Sequence, residues 1–418
     1  MTETVEDRQL WIWYTPFGLG GVETFLLNLA RTTVQRGSTV CVAAVQSFSG
    51  PLKAAFEQES IQLLDWTDFY PAYMNDSPGE EVCRRLTRDV AALRPTVLSI
   101  NGCTDFATGA APLLRRLKPY CTITDTFHIN PPDDRFFHLR APYAGLLDGI
   151  SSSNDAALDR FKTALPSART LPVRYIPYGA AVHARERRPP DSELRLLYVG
   201  RLVQEQKRIL ELPALLSRLK SSGRRFTLTI VGEGAQESEL RDALARLDLL
   251  AHVRFAGYVQ ADEVIDFYFE HDVLLNISTY EGFSISVIEA LAAGCVPVCT
   301  DLPGLDRSAF IDGVTCRLCP VDDLPRMAEI LSVLTPEEII RMSAAASEVG
   351  SALTIPRMVD RYETFFAELR SLRPLRLWTE DTESALEGVW DLSRHNPWLP
   401  HPHPVRKWAR RALAWMRS

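Results

Sequence analysis

At 418 residues and 47.0 kDa the chain exceeds the ~250–300 residues at which one hydrophobic core stops growing, so two large domains are expected. With 46% hydrophobic and 24% charged residues the composition is globular, which excludes disordered, collagen-like and fibrous classes. The net charge of -7 has the wrong sign for a surface built to hold nucleic acid, and eight cysteines are too few for a disulfide scaffold.

The chain opens on MTETVEDRQL, acidic where a secretion signal needs a basic start, and no apolar run approaches the ~18 residues of a membrane span. These features predict a cytoplasmic protein. Apolar runs of strand length then alternate with amphipathic stretches, the pattern of βαβ units and parallel sheets. The first half offers LWIWYT (10–15), TVCVAAV (39–45), TVLSING (96–102), YCTITDT (120–126) and DGISSS (148–153) as strands. Between the first two, GVETFLLNLARTTVQRG (21–37) has Phe25, Leu26, Leu29 and Val34 at helical spacing before a terminating glycine. A proline-rich, charged stretch, ARERRPPDSE (184–193), reads as a linker. The rhythm restarts with LRLLYVG (194–200), FTLTIVG (226–232), VRFAGYV (253–259), DVLLNIS (272–278) and VPVCT (296–300). The expected fold is α/β, two doubly wound Rossmann-like domains facing each other across a cleft, where the carboxyl ends of open sheets bind ligands. Cys295, Cys299, Cys316 and Cys319 have a zinc-like spacing, but VPVCT (296–300) and TCRLC (315–319) read as strands, which favours buried thiols over a metal knuckle.

Three constellations carry chemistry. TPFGLGGVETF (15–25) places Gly18, Gly20 and Gly21 before a helix, suited to close approach by a phosphate or sugar or simply to a tight turn. A dinucleotide site is disfavoured, because Glu23 stands where a small residue is wanted and Gln46 and Ser47 stand where an acid is wanted. YVGRLVQEQKR (198–208) puts Arg201 directly after a strand and Lys207 six residues on, a fork and a point charge that together suit a diphosphate, or else a solvated charged loop. STYEGFSISVIEALAAG (278–294) turns at Glu281-Gly282 and opens a helix near Ser284. The N–H groups of Phe283, Ser284, Ile285 and Ser286 would hold a diphosphate at the helix mouth. Glu281 would face a sugar and Glu289 a ribose; were most of that segment helical, the two acids would stand about 10–12 Å apart along the axis. The bland alternative makes Glu281 an acid at a helix start and Glu289 an ordinary helix residue.

The order GGVE (20–23), GRLVQEQKR (200–208), VGEG (231–234) and EGFSISVIEALAAG (281–294) resembles the retaining GT-B glycosyltransferases, specifically glycosyltransferase family 4, over about residues 10–372. The resemblance implies transfer of a sugar from a nucleotide diphosphate donor with retention and without a required metal or other cofactor. It implies that Arg201 and Lys207 neutralise the leaving diphosphate and that Glu289 binds ribose. Glu281 would contact the sugar, and Gly20 and Gly21 would let the acceptor-side domain close over the donor. His128, in TDTFHIN (123–129), looks like the family's active-site histidine; a packing residue at a strand end is the alternative. TDLPGLDRS (300–308) has one glycine where such proteins often carry two, and LCPVDD (318–323) replaces a common glycine turn, so the donor sugar stays open. The expected domains are 1–186 for the acceptor, 187–355 for the donor, 356–372 as a helix crossing back, and 373–418 as a tail.

That tail ends in VRKWARRALAWMRS (405–418), whose apolar residues share an arc of roughly 160° while Arg406, Lys407, Arg410 and Arg411 fall outside it. Such a helix, with Trp408 and Trp415, suits an anionic membrane surface; packing on the protein's own body and a partner protein are the alternatives. The resemblance therefore implies a metal-independent, retaining hexosyltransferase with a nucleotide-sugar donor and a glycan or lipid-linked acceptor, and the basic tail adds the expectation of a peripheral place at the inner membrane face. An epimerase of the same fold and a non-catalytic nucleotide-sugar-binding subunit are its rivals.

Overall fold

The structure is a computed structural model that describes residues 8–13, 20–45, 48, 50, 53–67, 80–379, 382 and 386. The chain divides into two compact units, Met1–Ile176 with Val359–Ser418, and Pro177–Met358.

The first unit is built on seven parallel strands: β1 (Arg8–Trp13), β2 (Thr39–Ala44), β3 (Gln62–Asp65), β4 (Val97–Ile100), β5 (Thr122–Phe127), β6 (Gly149–Ser152) and β7 (Val173–Tyr175). Their order is β3-β2-β1-β4-β5-β6-β7. The second has six: β8 (Leu194–Val199), β9 (Phe226–Val231), β10 (Val253–Gly257), β11 (Val273–Asn276), β12 (Val296–Thr300) and β13 (Arg317–Cys319), ordered β10-β9-β8-β11-β12-β13. Central strands such as β11 and β12 are buried along their whole length, as expected when helices cover both faces of a parallel sheet. In each sheet the strand order reverses once, between β1 and β4 and between β8 and β11, which makes a crevice at the carboxyl ends of those strands. The two-domain α/β architecture expected from the sequence is thus present. The strands β3 and β7 were not expected; they are edge strands of four and three residues, too short to leave a periodic signal.

Each unit has its own apolar core. The helix α1 (Gly21–Gln35) buries Phe25, Leu26 and Leu29 in the first unit, and the turn after it passes through Gly37 at φ 91°. In the second unit α2 (Ile285–Ala293) is apolar on nearly every side, with Val287, Ile288 and Leu291 buried, each such side chain contributing roughly 1.5–3 kcal/mol. The helix α3 (Pro336–Gly350) begins with a complete capping box between Thr335 and Glu338. In α4 (Ile355–Leu372), Met358, Tyr362, Phe365 and Phe366 are all buried, as their spacing predicts, and the chain returns to the first unit within this helix.

The stretch 184–193 is not a free linker, which corrects the sequence expectation. Arg185 pairs with Asp266, Arg188 N–H donates to the Phe269 carbonyl at 3.2 Å, and Arg187 donates to the carbonyls of Tyr268 (2.7 Å), Ala293 (2.8 Å) and His271. Its arginines strap it onto the second unit, so the chain divides at Ile176/Pro177 rather than at 186/187. Next to it, the buried Arg195 and Asp272 join β8 to the start of β11 through contacts of 2.6–3.0 Å. Loss of either partner would strand a buried charge, at a cost of about 3–5 kcal/mol. Beyond α4, Arg376 N–H donates to the Pro119 carbonyl (2.6 Å), Trp378 packs on Tyr120 and Leu386 joins the first core. The basic segment 405–418, with Arg406, Lys407, Trp408, Arg410, Arg411 and Trp415, lies outside the described residues.

Candidate active site

Three loops leave the carboxyl ends of β8, β9 and β11 and interlock. Leu202 N–H donates to the Glu233 carbonyl at 3.0 Å, and Gln236 N–H returns to the Leu202 carbonyl at 3.2 Å. The approach is so close that only glycine fits at two positions. Gly232 sits at φ 128°, where a Cβ would collide with the Gly200 carbonyl, and a Cβ on Gly234 would collide with the Leu202 carbonyl. The VGEG motif therefore seats the loop that carries Arg201. Tyr198 adds a second anchor, its hydroxyl donating to the Arg201 carbonyl at 2.8 Å.

Lys207 ends a single helical turn, Gln204–Lys207. Arg208 follows in the left-handed region at φ 53°, a conformation costing a non-glycine residue roughly 1 kcal/mol or more. Its guanidinium is held by Glu211 (2.6 and 2.7 Å) and the Val321 carbonyl, which offset that cost and fix the turn. The loop after β11 docks on the same turn: Thr279 N–H donates to the Gln206 carbonyl (2.9 Å), and Thr279 Oγ1 donates to the carbonyls of Glu205 (2.9 Å) and Gln206 (3.1 Å).

These contacts bring Lys207 and Glu281 into an ion pair whose side chains are 14% and 12% exposed. Glu281 also accepts from Ser278 Oγ (2.7 Å) and Gln206 Nε2 (3.3 Å). Arg201, exposed to solvent, donates to Gln206 Oε1 at 3.0 Å. The structure thus brings Glu281, 74 or more positions further along the sequence, to Arg201 and Lys207 at the crevice between β8 and β11.

The helix α2 starts at Ile285, with Ser284 as its first flanking residue, so Glu281 through Phe283 are not helical. This corrects the expected 10–12 Å: Glu289 lies four helical residues past Ile285, a rise of about 6 Å, and the rest of the separation is set by the loop. The Ser284 hydroxyl does not cap the helix; it accepts from Asn276 Nδ2 at 3.2 Å and pairs with Ser286 Oγ at 3.0 Å. Among the described residues the N–H groups of Ile285 and Ser286 have no acceptor, so the mouth of this nine-residue helix keeps open donors and positive potential beside Gly282 and Phe283. Glu289 is half-buried and accepts from the buried Tyr268 hydroxyl at 2.8 Å. Burial pushes its carboxyl up to about 7 against the lowering effect of that hydrogen bond.

In the first unit, His128 directly follows β5. Its ring packs on Phe25 at 5.1 Å, and its Nε2 lies 3.3 Å from Asn101 Oδ1. Asn101 Nδ2 donates to the Ser99 carbonyl (3.2 Å), so the amide oxygen faces the ring and Nε2 carries the proton. Burial, and then the charge of the nearby Arg140, bring the imidazole down to about 3, so it is neutral at physiological pH. Gly20 precedes α1, and its carbonyl accepts from Thr24 N–H at 3.1 Å; the Glu23 carboxylate folds back to where a side chain at 20 would sit. Gly21 is the first helical residue, whereas Gly18 lies outside the described residues. Cys295, Cys299, Cys316 and Cys319 are buried on and beside β12 and β13.

Sequence reasoning missed Gln206, Ser278 and Tyr268. The first two stand inside motifs that were recognised, but polar neighbours of charged residues carry no signal of their own. Tyr268, on the helix Ala261–Glu270, is found only through its contact with Glu289.

Residues 193–335 match the family described as glycosyl transferases group 1. The chain is 35% identical over 162 residues to the glycogen synthase of Mycobacterium tuberculosis, 38% of this chain and 39% of that protein. It is 34% identical over 168 residues to the phosphatidyl-myo-inositol mannosyltransferase of Mycolicibacterium smegmatis, 38% and 41% of the respective chains. The matches thus span about two fifths of the length of these relatives. The fold is similar to that of Anabaena Alr3699/HepE in complex with UDP and glucose, with a TM-score of 0.70 at 17% identity over 86% of this chain and 99% of that one. The pneumococcal O-GlcNAc transferase GtfA in complex with UDP and GlcNAc gives 0.67 at 12% identity, over 87% and 99%. The fold is therefore of the GT-B type, with two Rossmann-like domains.

Proposed function

We propose that this protein is a glycosyltransferase that moves a hexose-type sugar from a nucleoside diphosphate donor to a glycan or lipid-linked acceptor, with retention at the anomeric carbon. The observation that carries the proposal is the convergence of Arg201, Lys207 and the open N–H groups of Ile285 and Ser286 at one strand-order reversal, flanked by Glu281 and Glu289. Departure of a sugar leaves new negative charge on a phosphate oxygen, and fixed cations and backbone donors stabilise it without reorganisation. Lys207 spends one N–H on Glu281 and has two more for phosphate. In this reading side chains rather than a metal ion neutralise the diphosphate, Glu289 accepts from ribose hydroxyls and Glu281 faces the sugar. His128 serves as a neutral hydrogen-bonding group for a sugar hydroxyl. The likeness of residues 193–335 to glycosyl transferases group 1 supports the same reading.

The test pairs two variants, using whichever of UDP, GDP and ADP raises the melting temperature most, together with the matching sugar nucleotides. Glu289→Ala is expected to weaken nucleotide binding about tenfold or more. Glu281→Ala is expected to depress transfer far more than nucleotide affinity. Equal and negligible effects of both would overturn the assignment.

A further inference from the structure

We propose that Gln206 is a positioning residue that couples Arg201 to the Glu281–Lys207 pair and so presents Arg201 to the diphosphate. The inference rests on the nucleoside diphosphate reading given above. Gln206 is half-buried, and both ends of its amide are engaged by opposite charges. Its Oε1 accepts from Arg201 at 3.0 Å, while its Nε2 donates to Glu281 Oε2 at 3.3 Å and to the Tyr280 carbonyl at 3.2 Å. The amide can take only this orientation, because a flipped one would aim N–H groups at a guanidinium and a carbonyl oxygen at a carboxylate.

The main chain of Gln206 is fixed as well, since its carbonyl accepts from both Thr279 N–H and Thr279 Oγ1. The side chain is therefore a short, rigid bridge from a fixed loop to an arginine that is otherwise exposed. Only a neutral group with a donor at one edge and an acceptor at the other satisfies this place. A glutamate would hold Arg201 but face the Glu281 carboxylate, and a methionine would fill the volume and hold neither. Because Arg201 has several accessible rotamers on an exposed loop, losing the bridge would lower the fraction of time its fork points toward the phosphates.

A mutant cycle in the full-length protein separates this role from a structural one. UDP, GDP and ADP are titrated calorimetrically into wild type, and the tightest binder is carried into Gln206→Met, Arg201→Met and the double variant. The expected result is about tenfold weaker binding for Gln206→Met, about thirtyfold for Arg201→Met, and no loss beyond Arg201→Met in the double variant, because one residue acts through the other. Should Gln206→Met reduce the yield of folded protein, Gln206→Asn gives the same cycle, since its amide is one methylene too short to reach both partners. If wild type binds and Arg201→Met is weakened, yet Gln206→Met stays within twofold of wild type or its loss multiplies that of Arg201→Met, the coupling is refuted while the nucleotide reading stands. If none of the three nucleotides binds wild type, both fall.

Discussion

The charge state of Glu289 decides what that residue can do for a nucleotide. Burial raises its carboxyl from the usual value of 4.5 to about 7, so near neutrality the group is divided between acid and carboxylate. Accepting from two ribose hydroxyls requires the carboxylate. Nucleotide affinity is therefore expected to rise between pH 6 and 8 with release of up to one proton, read as a dependence of calorimetric enthalpy on buffer ionisation. The sign for stability is the reverse. The folded state holds its proton between the unfolded value and about 7, so this group makes the protein less stable as pH rises across that window. Glu289→Gln should remove both pH dependences, and a variant that kept the full affinity step would place the titration elsewhere. The polar atoms that tune Glu289, above all the Tyr268 hydroxyl, are invisible in a motif because they arrive from another helix.

Among the elements, the loops after β8 and β9 behave as one piece. The Gly232 backbone lies in a region that side chains rarely adopt, and its missing Cβ leaves room for the Gly200 carbonyl. Gly232→Ala is expected to cost about 2–4 kcal/mol, from backbone strain and steric overlap together. Because the displaced atom lies next to Arg201, the same variant should lose nucleotide affinity severalfold, whereas alanine at the open position Gly223 should leave affinity alone. Chemical denaturation and nucleotide titration of both variants check this; equal affinities would show that the loops move independently. Most strands were legible from their apolar runs, since a strand covered on both faces must be apolar throughout. The short edge strands β3 and β7 were not, because three or four residues at a margin need no such pattern.

On the scale of the whole molecule, the arginines of 184–193 show why composition misled. Charge and proline usually mark a free connection, yet here Arg185 and Arg187 meet acceptors on the second unit. Among the described residues no helix is long and apolar enough to cross a membrane. We propose that the basic amphipathic segment 405–418 binds an anionic bilayer surface, each cation adding about 1 kcal/mol at low ionic strength. Deleting it should reduce co-sedimentation with phosphatidylserine-containing vesicles and leave nucleotide binding unchanged. Unaltered sedimentation would assign the segment another role.

Composition and periodicity by themselves determined that the chain has two α/β units, and local motifs marked Arg201, Lys207, Glu281 and Glu289, because a strand end followed by a turn or helix start is written in consecutive residues. Only the tertiary structure decided that Lys207 pairs with Glu281, that Gln206 stands between Arg201 and Glu281, and that Tyr268 supports Glu289. Apart from the Arg201–Gln206 bond, which spans five positions, those contacts join residues 21 to 75 positions apart, and such distances are closed by sheet order and helix packing, which no local pattern encodes.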